Sequence, residues 1–303
     1  MITIVGPTGV GKSKLSVSLA QKMLGEIINA DSRQIYVGMD IGTAKPKSDM
    51  FKLLPHHLFD IVDPDEDFSV YDFSQIAKST IGKISLKGRV PILVGGTGQY
   101  IWSILENWEH EKGAFDVSLR KYLEQKFKSE GLDSLVKELE IKDPEAALTI
   151  DIKNPRRVIR ALERITLGYE GYISRKKNIS LREDCLVIGI TCPRGDLYTK
   201  VDERVDFMFE EGWLDEIKAL NDEGYHANLP AMSSIGYKEI NFLLRSEITI
   251  EECKTRIRSR THKLIRSQYN WFKVDDPRIN WFDLSDFSEE DIIDEIIGLY
   301  DQI

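Results

Sequence analysis

The stretch GPTGVGKS, Gly6–Ser13, meets the pattern G-x-x-x-x-G-K-[ST] at each fixed position. It joins an apolar segment, Ile2–Val5, to a helical one running from about Lys12 to Met23. Strand, glycine turn and helix in that order constrain this chain more than any other feature. Gly6, Gly9 and Gly11 let backbone amides converge on anionic oxygens at a helix N-terminus, where the helix dipole favours negative charge. Pro7, Thr8 and Val10 complete the loop. Lys12 adds a cation for the terminal phosphates, and the Ser13 hydroxyl suits Mg²⁺. A glycine turn without a ligand is the plain alternative; pattern and context together weigh against it.

The segments that follow alternate in kind. EIINA reads as a strand ending at Asp31, with Gly25 as the helix stop before it, and HLFDIV as a third strand. Ser69 and Asp72 open a helix with a capping-box spacing. RVPILVG is a buried strand, and GTGQYIWSIL turns into a helix. This alternation predicts an α/β fold, a P-loop NTPase-like parallel sheet core covered on both faces. From Phe115 to Arg182 only helical patterns occur: LRKYLEQKF, LDSLVKELE and NPRRVIRALERITLG. CLVIGI then returns as a strand. The chain is therefore expected to hold a discontinuous core, 1–114 and 184–303, with an all-helical insertion domain at 115–183. The last stretches read as a helix around Arg204, a basic helix through CKTRIRSRTHKLIRSQYNWF, and an acidic helix capped by Ser288.

Composition sets further bounds. With 303 residues and 42% hydrophobic content, the chain can bury a sizeable core. It has no run of 18 apolar residues, so no membrane span is expected. Entry straight into a strand, with no basic leader, predicts no secretory signal. Cys185, Cys192 and Cys253 form no C-x-x-C pair, which suits buried thiols in a reducing cytoplasm. The net charge is −9, but it is segregated: residues 153–182 carry +7 and residues 254–273 another +7, leaving −23 elsewhere. Such a field suits a phosphate-backbone footprint, or two solvated helix faces.

A nucleotide hydrolase or kinase places a second acid for its metal at a later strand end. The later apolar strand, VPILV, is followed instead by Gly95, Gly96 and Thr97; Asp60 and Asp63 are the available substitutes. Asp31 ends the second strand, on the side where parallel sheets gather ligands. A carboxylate there binds metal, caps a turn, or takes a proton from a nucleophile. Ser32, Arg33 and Gln34 follow it; Arg and Gln read base edges well but are also ordinary loop residues. The loops Gly38–Pro46 and Gly95–Tyr100 occupy crevice positions. Adjacent His56 and His57 point in different directions and lack supporting ligands, which disfavours a metal site. Arg204 is a helix residue with a surface role or a phosphate role.

Taken together, GPTGVGKS, DSRQIYVGMDIGTAKP, PHHLFDIVDPDEDFSVYDF, VPILVGGTGQY, NPRRVIRALE and SSIGYKEI resemble, in order and spacing, the bacterial tRNA dimethylallyltransferases, or tRNA isopentenyltransferases. The resemblance spans Thr3 to about Lys273. It implies transfer of the dimethylallyl group from dimethylallyl pyrophosphate to N6 of the adenosine just 3′ of the anticodon, tRNA position 37, with Mg²⁺ present. It implies Asp31 as general base, with Lys12, Thr97 and Arg204 also in the catalytic set. Gly6–Ser13 would hold the pyrophosphate, with Ser13 on the metal. It implies tRNA contacts at Asp31, Ser32, Arg33 and Gln34, at Arg120, at Arg156, Arg157, Val158, Ile159 and Arg160, and at Ser233, Ser234, Ile235, Gly236, Tyr237 and Lys238. The partners implied are the tRNA anticodon stem-loop and dimethylallyl pyrophosphate, with the protein a monomer off the membrane. The basic late helix would hold stem phosphates.

The chain departs from the family's usual TRQLAKRQ-TWF helix, which here reads THKLIRSQYNWF with His262 and Lys263. Gln99 stands where an apolar residue is common, and Ser233 where some members carry a base. Two other functions fit parts of the pattern: an adenylate (cytokinin-type) isopentenyltransferase, and a P-loop small-molecule kinase. The +7 charge of the helical insertion favours the tRNA substrate over a mononucleotide.

Overall fold

The computed structural model describes residues 1–108, 116–169, 181, 182 and 184–302. Six strands are present among them: β1 (Ile2–Val5), β2 (Gly25–Asn29), β3 (His56–His57), β4 (Val90–Val94), β5 (Leu186–Thr191) and β6 (Asn280–Asp283). They form one sheet in the order β3-β2-β4-β1-β5-β6, with each pairing parallel.

The helices before the insertion are α1 (Lys12–Met23), α2 (Ser48–Leu53), α3 (Val70–Leu86) and α4 (Gly98–Leu105). Next come α5 (Val117–Glu130), α6 (Leu132–Lys142), α7 (Pro144–Thr149) and α8 (Pro155–Thr166). After the return to the sheet come α9 (Arg194–Glu210), α10 (Trp213–Asp222), α11 (Tyr237–Leu244), α12 (Ile250–Trp271) and α13 (Glu289–Tyr300).

The strands read as continuous apolar runs because the sheet is buried on both faces. Ile2 and Ile4 of β1 pack with Leu15 and Leu19 of α1 and with Ile292 and Ile296 of α13. Val5, pointing the other way, packs with Phe73 of α3 and Ile101 of α4. The capping box at Ser69 and Asp72 forms as expected, and Ser288 caps α13 with Asp291 in the same way.

Four local expectations change. HLFDIV pairs only at His56 and His57: Leu58 and Asp60 have positive φ, which turns the chain out of the sheet, and Val62 makes a single bridge to Tyr36. Leu24, not Gly25, takes the left-handed conformation that ends α1. Gly25 begins β2, where a Cβ would lie 2.7 Å from Ile92. The helix around Arg204, α9, ends at Glu210, and a separate helix, α10, starts after Gly212, whose φ is 97°. The edge strand β6 and the short α7 were not foreseen.

The chain forms two compact units: Met1–Trp108 with Leu181–Ile303, and Glu109–Ser180. The expected boundaries, 114/115 and 183/184, fall on or beside residues outside the described ones. In the second unit Leu123, Leu135, Leu139, Val158 and Leu162 make a core of their own. Asn154 caps α8 with Pro155 in its first turn, and Asp143 caps α7. Among the described residues no helix is long and apolar enough to cross a membrane.

Candidate active site

The carboxyl ends of β1, β2 and β4 carry the loops 6–12, 30–34 and 95–97, so three chain segments meet over one edge of the sheet. Gly9 and Gly11 have φ of 83° and 112°, a region that favours glycine. A Cβ on Gly9 would also sit 2.4 Å from Val201 of α9, so that helix packs directly on the loop. Lys12 Nζ donates to the carbonyls of Gly6 at 3.0 Å and Pro7 at 2.8 Å. Its burial pushes its pKa down to about 8; Asp31 opposes that shift and Arg204 adds to it. Arg204, on α9, donates to the Thr8 hydroxyl at 3.2 Å. Burial also lowers the Arg204 pKa, again against the pull of Asp31.

Gln268 of α12 was not singled out in the sequence. It accepts from Thr8 N at 2.8 Å and donates to Gly96 O at 3.2 Å, tying the loop after β1 to the loop after β4. The signal was available: the late-helix pattern keeps this Gln while its neighbours vary.

Asp31 follows β2 in a turn held by Asn29, whose Oδ1 accepts from Asp31 N at 2.9 Å. Asp31 Oδ1 accepts from Arg33 N at 2.8 Å, so the turn-capping role is present. Ser32 N donates to Thr97 Oγ1 at 3.0 Å, which joins the strand ends of β2 and β4. Gln34 spends its amide on the carbonyls of Thr43 and Ala44, both at 3.0 Å. Lys45, with a side chain only 3% exposed, pairs with Asp40 and Asp60 and donates to Tyr36 O at 2.9 Å.

Two cavities adjoin here. One of about 220 Å³ is lined by Gly9, Gly11, Lys12 and Ser13. The other, about 370 Å³, is lined by Ser32, Arg33, Thr97, Trp213, Ser233–Ile235 and Trp271. Thr8, Asp31, Thr43, Gly96, Arg204 and Gln268 line both. A chamber lined by the glycine loop therefore shares a wall with a roomier one, and a carboxylate and a guanidinium stand in that wall.

The histidine pair is structural. His57 Nε2 lies 2.7 Å from the buried Glu26 carboxylate, and His56 Nδ1 lies 2.9 Å from Leu54 O. Among the described residues no three His, Cys, Asp or Glu side chains cluster as a metal site. Mg²⁺ does not require such a cage: it is commonly held by substrate phosphates, water and one or two protein oxygens. The exposed Ser13 hydroxyl and the Asp31 carboxylate are oxygen donors of that kind on one cavity.

The remaining expected RNA contacts divide. Ser233 and Lys238 are exposed, Ile235 is half-buried, and Ser234 lines the larger cavity. Gly236 has φ 91° and donates its N–H to Glu239. Tyr237 is fully buried, with its hydroxyl on Glu216, so its side chain packs and does not face solvent. In the second unit Val158 and Ile159 are likewise core residues. Arg156 and Arg157 are exposed, whereas Arg160 and Arg120 both reach the fully buried Glu163, at 2.8 and 3.5 Å. Four of the six Lys and Arg of α12 are ion-paired within the first unit. Lys254 and Arg258 pair with Asp206, Arg256 with Glu252, and Arg260 with Glu239. His262 pairs with Asp202 at 2.9 Å and stacks on Tyr198. The three cysteines are buried, and burial pushes the Cys253 thiol up to about 12.

Strand order, glycine loop and paired cavities define a P-loop α/β protein with a second cavity beside the one its glycine loop lines. Two family models match it: IPP transferase over residues 34–275, and isopentenyl transferase over residues 1–56. The tRNA dimethylallyltransferase of Dehalococcoides mccartyi is 41% identical over 97% of this chain and 90% of its own. That of Roseiflexus sp. is 43% identical over 90% of each chain. Among solved structures, the tRNA isopentenylpyrophosphate transferase of Bacillus halodurans is 38% identical with a TM-score of 0.73, covering 99% of this chain and 96% of its own. A eukaryotic dimethylallyltransferase, described as acting on tRNA, is 30% identical with a TM-score of 0.81, over 99% of this chain and 77% of that one. The chain belongs to the IPP transferase family of tRNA prenyl-transferring enzymes.

Proposed function

We propose that the protein moves the dimethylallyl group of dimethylallyl pyrophosphate onto N6 of adenosine 37 of tRNA, in the cytoplasm and as a monomer. The observation that carries this reading is the shared wall of the two cavities, with Asp31 and Arg204 in it and Gly9, Gly11, Lys12 and Ser13 on one side only. The pyrophosphate would lie on the amides of Gly9–Ser13, between Lys12 and Arg204. The target adenine, drawn out of the anticodon-loop stack, would enter the larger cavity.

The C1–O bond to pyrophosphate breaks and an N6–C1 bond forms. Asp31 takes the proton that leaves N6, and pyrophosphate departs. The exocyclic amine is a weak nucleophile, because its lone pair is delocalised into the ring, so an acceptor at that point matters. Charge growing on the leaving group meets fixed donors and two cations in a partly buried site, where they act strongly. Bound Mg²⁺, held by the pyrophosphate and Ser13, would supply further neutralisation of that charge. Thr97 orients the Asp31–Ser32 turn through its bond to Ser32 N. The helical unit would hold the anticodon stem by Arg156 and Arg157.

A second reading, transfer to a free adenine nucleotide, draws on the isopentenyl transferase match over residues 1–56. Labelled dimethylallyl pyrophosphate, offered with unmodified tRNA and AMP together, separates the two. The proposed function puts the label on tRNA; label on AMP alone overturns it.

A further inference from the structure

We propose that Glu216 of α10 is a positioning residue for the transfer, one that holds the cavity wall at Gly42 and Thr43 in place. The inference rests on the function proposed above. Glu216 lines neither cavity, yet four donors converge on its carboxylate. Oε2 accepts from Asp40 N at 3.0 Å and Ile41 N at 2.6 Å. Oε1 accepts from Gly42 N at 3.3 Å and from the Tyr237 hydroxyl at 2.6 Å. Three successive amides focused on one anion form a concave turn that a neutral side chain satisfies poorly. That turn delivers Gly42 to the larger cavity and Thr43 to both.

The same carboxylate reaches the second wall. Tyr237 follows directly on Ser233–Gly236, of which Ser233, Ser234 and Ile235 line the larger cavity. Trp213, in the same helix as Glu216, closes the remaining space. A Cβ on Gly42 would lie 2.2 Å from its Nε1, and one on Gly236 2.0 Å from its Cη2. Both wall segments therefore pack directly on the indole. Burial and the neighbouring Glu216 raise the Tyr237 pKa well above 10, so its hydroxyl stays a donor. Glu216 thus fixes two lining segments, about 200 residues apart in sequence, against one helix. Gln cannot replace it: its NH₂ would face amide donors, leaving one side of the fan without an acceptor.

Single-turnover prenylation of unmodified tRNA with saturating dimethylallyl pyrophosphate tests this in Glu216→Gln, Tyr237→Phe and the double variant. Loss of a reacting geometry costs orders of magnitude when it shifts by an ångström. Glu216→Gln is therefore expected to slow the step about tenfold or more at saturation, with KM for tRNA changed far less. Tyr237→Phe is expected to slow it less, and the double variant no further than Glu216→Gln, because the two residues act as one unit. A wild-type single-turnover rate in Glu216→Gln, or variants that shift only the melting temperature, overturns the proposal. Should Glu216→Gln not fold, Tyr237→Phe decides: an unchanged rate overturns it. Wild-type protein that labels no tRNA overturns the functional reading instead.

Discussion

Arg204 donates to the Thr8 hydroxyl at 3.2 Å across 196 residues of sequence. The helix that follows β5 thereby brings a second cation to the glycine loop beside Lys12. Among the described residues neither cation has a carboxylate hydrogen bond of its own: Lys12 leans on the loop carbonyls, and Arg204 on a hydroxyl. Both line the smaller cavity, and both feel Asp31.

Asp31→Asn keeps the turn, because the amide oxygen still accepts from Arg33 N, but it removes the proton acceptor. Single-turnover transfer should fall by roughly 10²-fold or more, with tRNA affinity preserved. A wild-type single-turnover rate would remove Asp31 as the base.

The lowered Lys12 pKa gives a pH signature. In the protein without ligand the group titrates near pH 8, against 10.5 in the unfolded chain. The folded state therefore holds fewer protons between those values, and this group's contribution makes the protein more stable as pH rises through that window. Ligand binding runs the other way, since pyrophosphate favours the ammonium. Calorimetric affinity for inorganic pyrophosphate should drop in the wild type as pH rises through about 8, beyond any drop in Lys12→Ala. Parallel pH profiles for the two proteins would contradict the assignment.

Gln268→Ala leaves Thr8 N and Gly96 O without their partner in a buried setting. Urea unfolding should report a loss of about 1–3 kcal/mol, the cost of unmet buried polar groups. Unfolding midpoints matching the wild type would show that the two loops hold themselves.

The arginines of the helical unit should separate by role. Arg156→Ala and Arg157→Ala should each weaken tRNA binding and lower the salt slope of log Kd by about one phosphate contact. Glu163→Ala should instead destabilise the protein, by about 1–3 kcal/mol in urea unfolding, since it removes the buried carboxylate that Arg160 and Arg120 reach. Equal salt slopes in wild type and the Arg156 and Arg157 variants would exclude them from the RNA surface.

The parts of this fold that are local in sequence were legible there. The glycine loop between β1 and α1, the Ser69 and Ser288 caps, and Asp31 at a strand end each follow from residues a few positions apart. What escaped depends on distant partners. Gln268 is an ordinary helix residue until it meets Thr8, 260 residues away. The cations of α12 read as an open basic face because Asp202, Asp206 and Glu239 lie on other helices. Tyr237, Val158 and Ile159 sit in motifs that suggest contact with RNA, and only packing shows their side chains turned inward. The strand β6 is four residues long with one buried side chain, Phe282, which leaves little periodicity to read.

By the proposed function the glycine loop grips a leaving pyrophosphate and transfers no phosphoryl group. The most direct test is stoichiometric: count pyrophosphate released and N6-dimethylallyladenosine formed in unmodified tRNA, with ATP also present. One pyrophosphate per modified adenosine is expected, with ATP left intact. Phosphate released from ATP, with no prenylated adenosine in the tRNA, would contradict it.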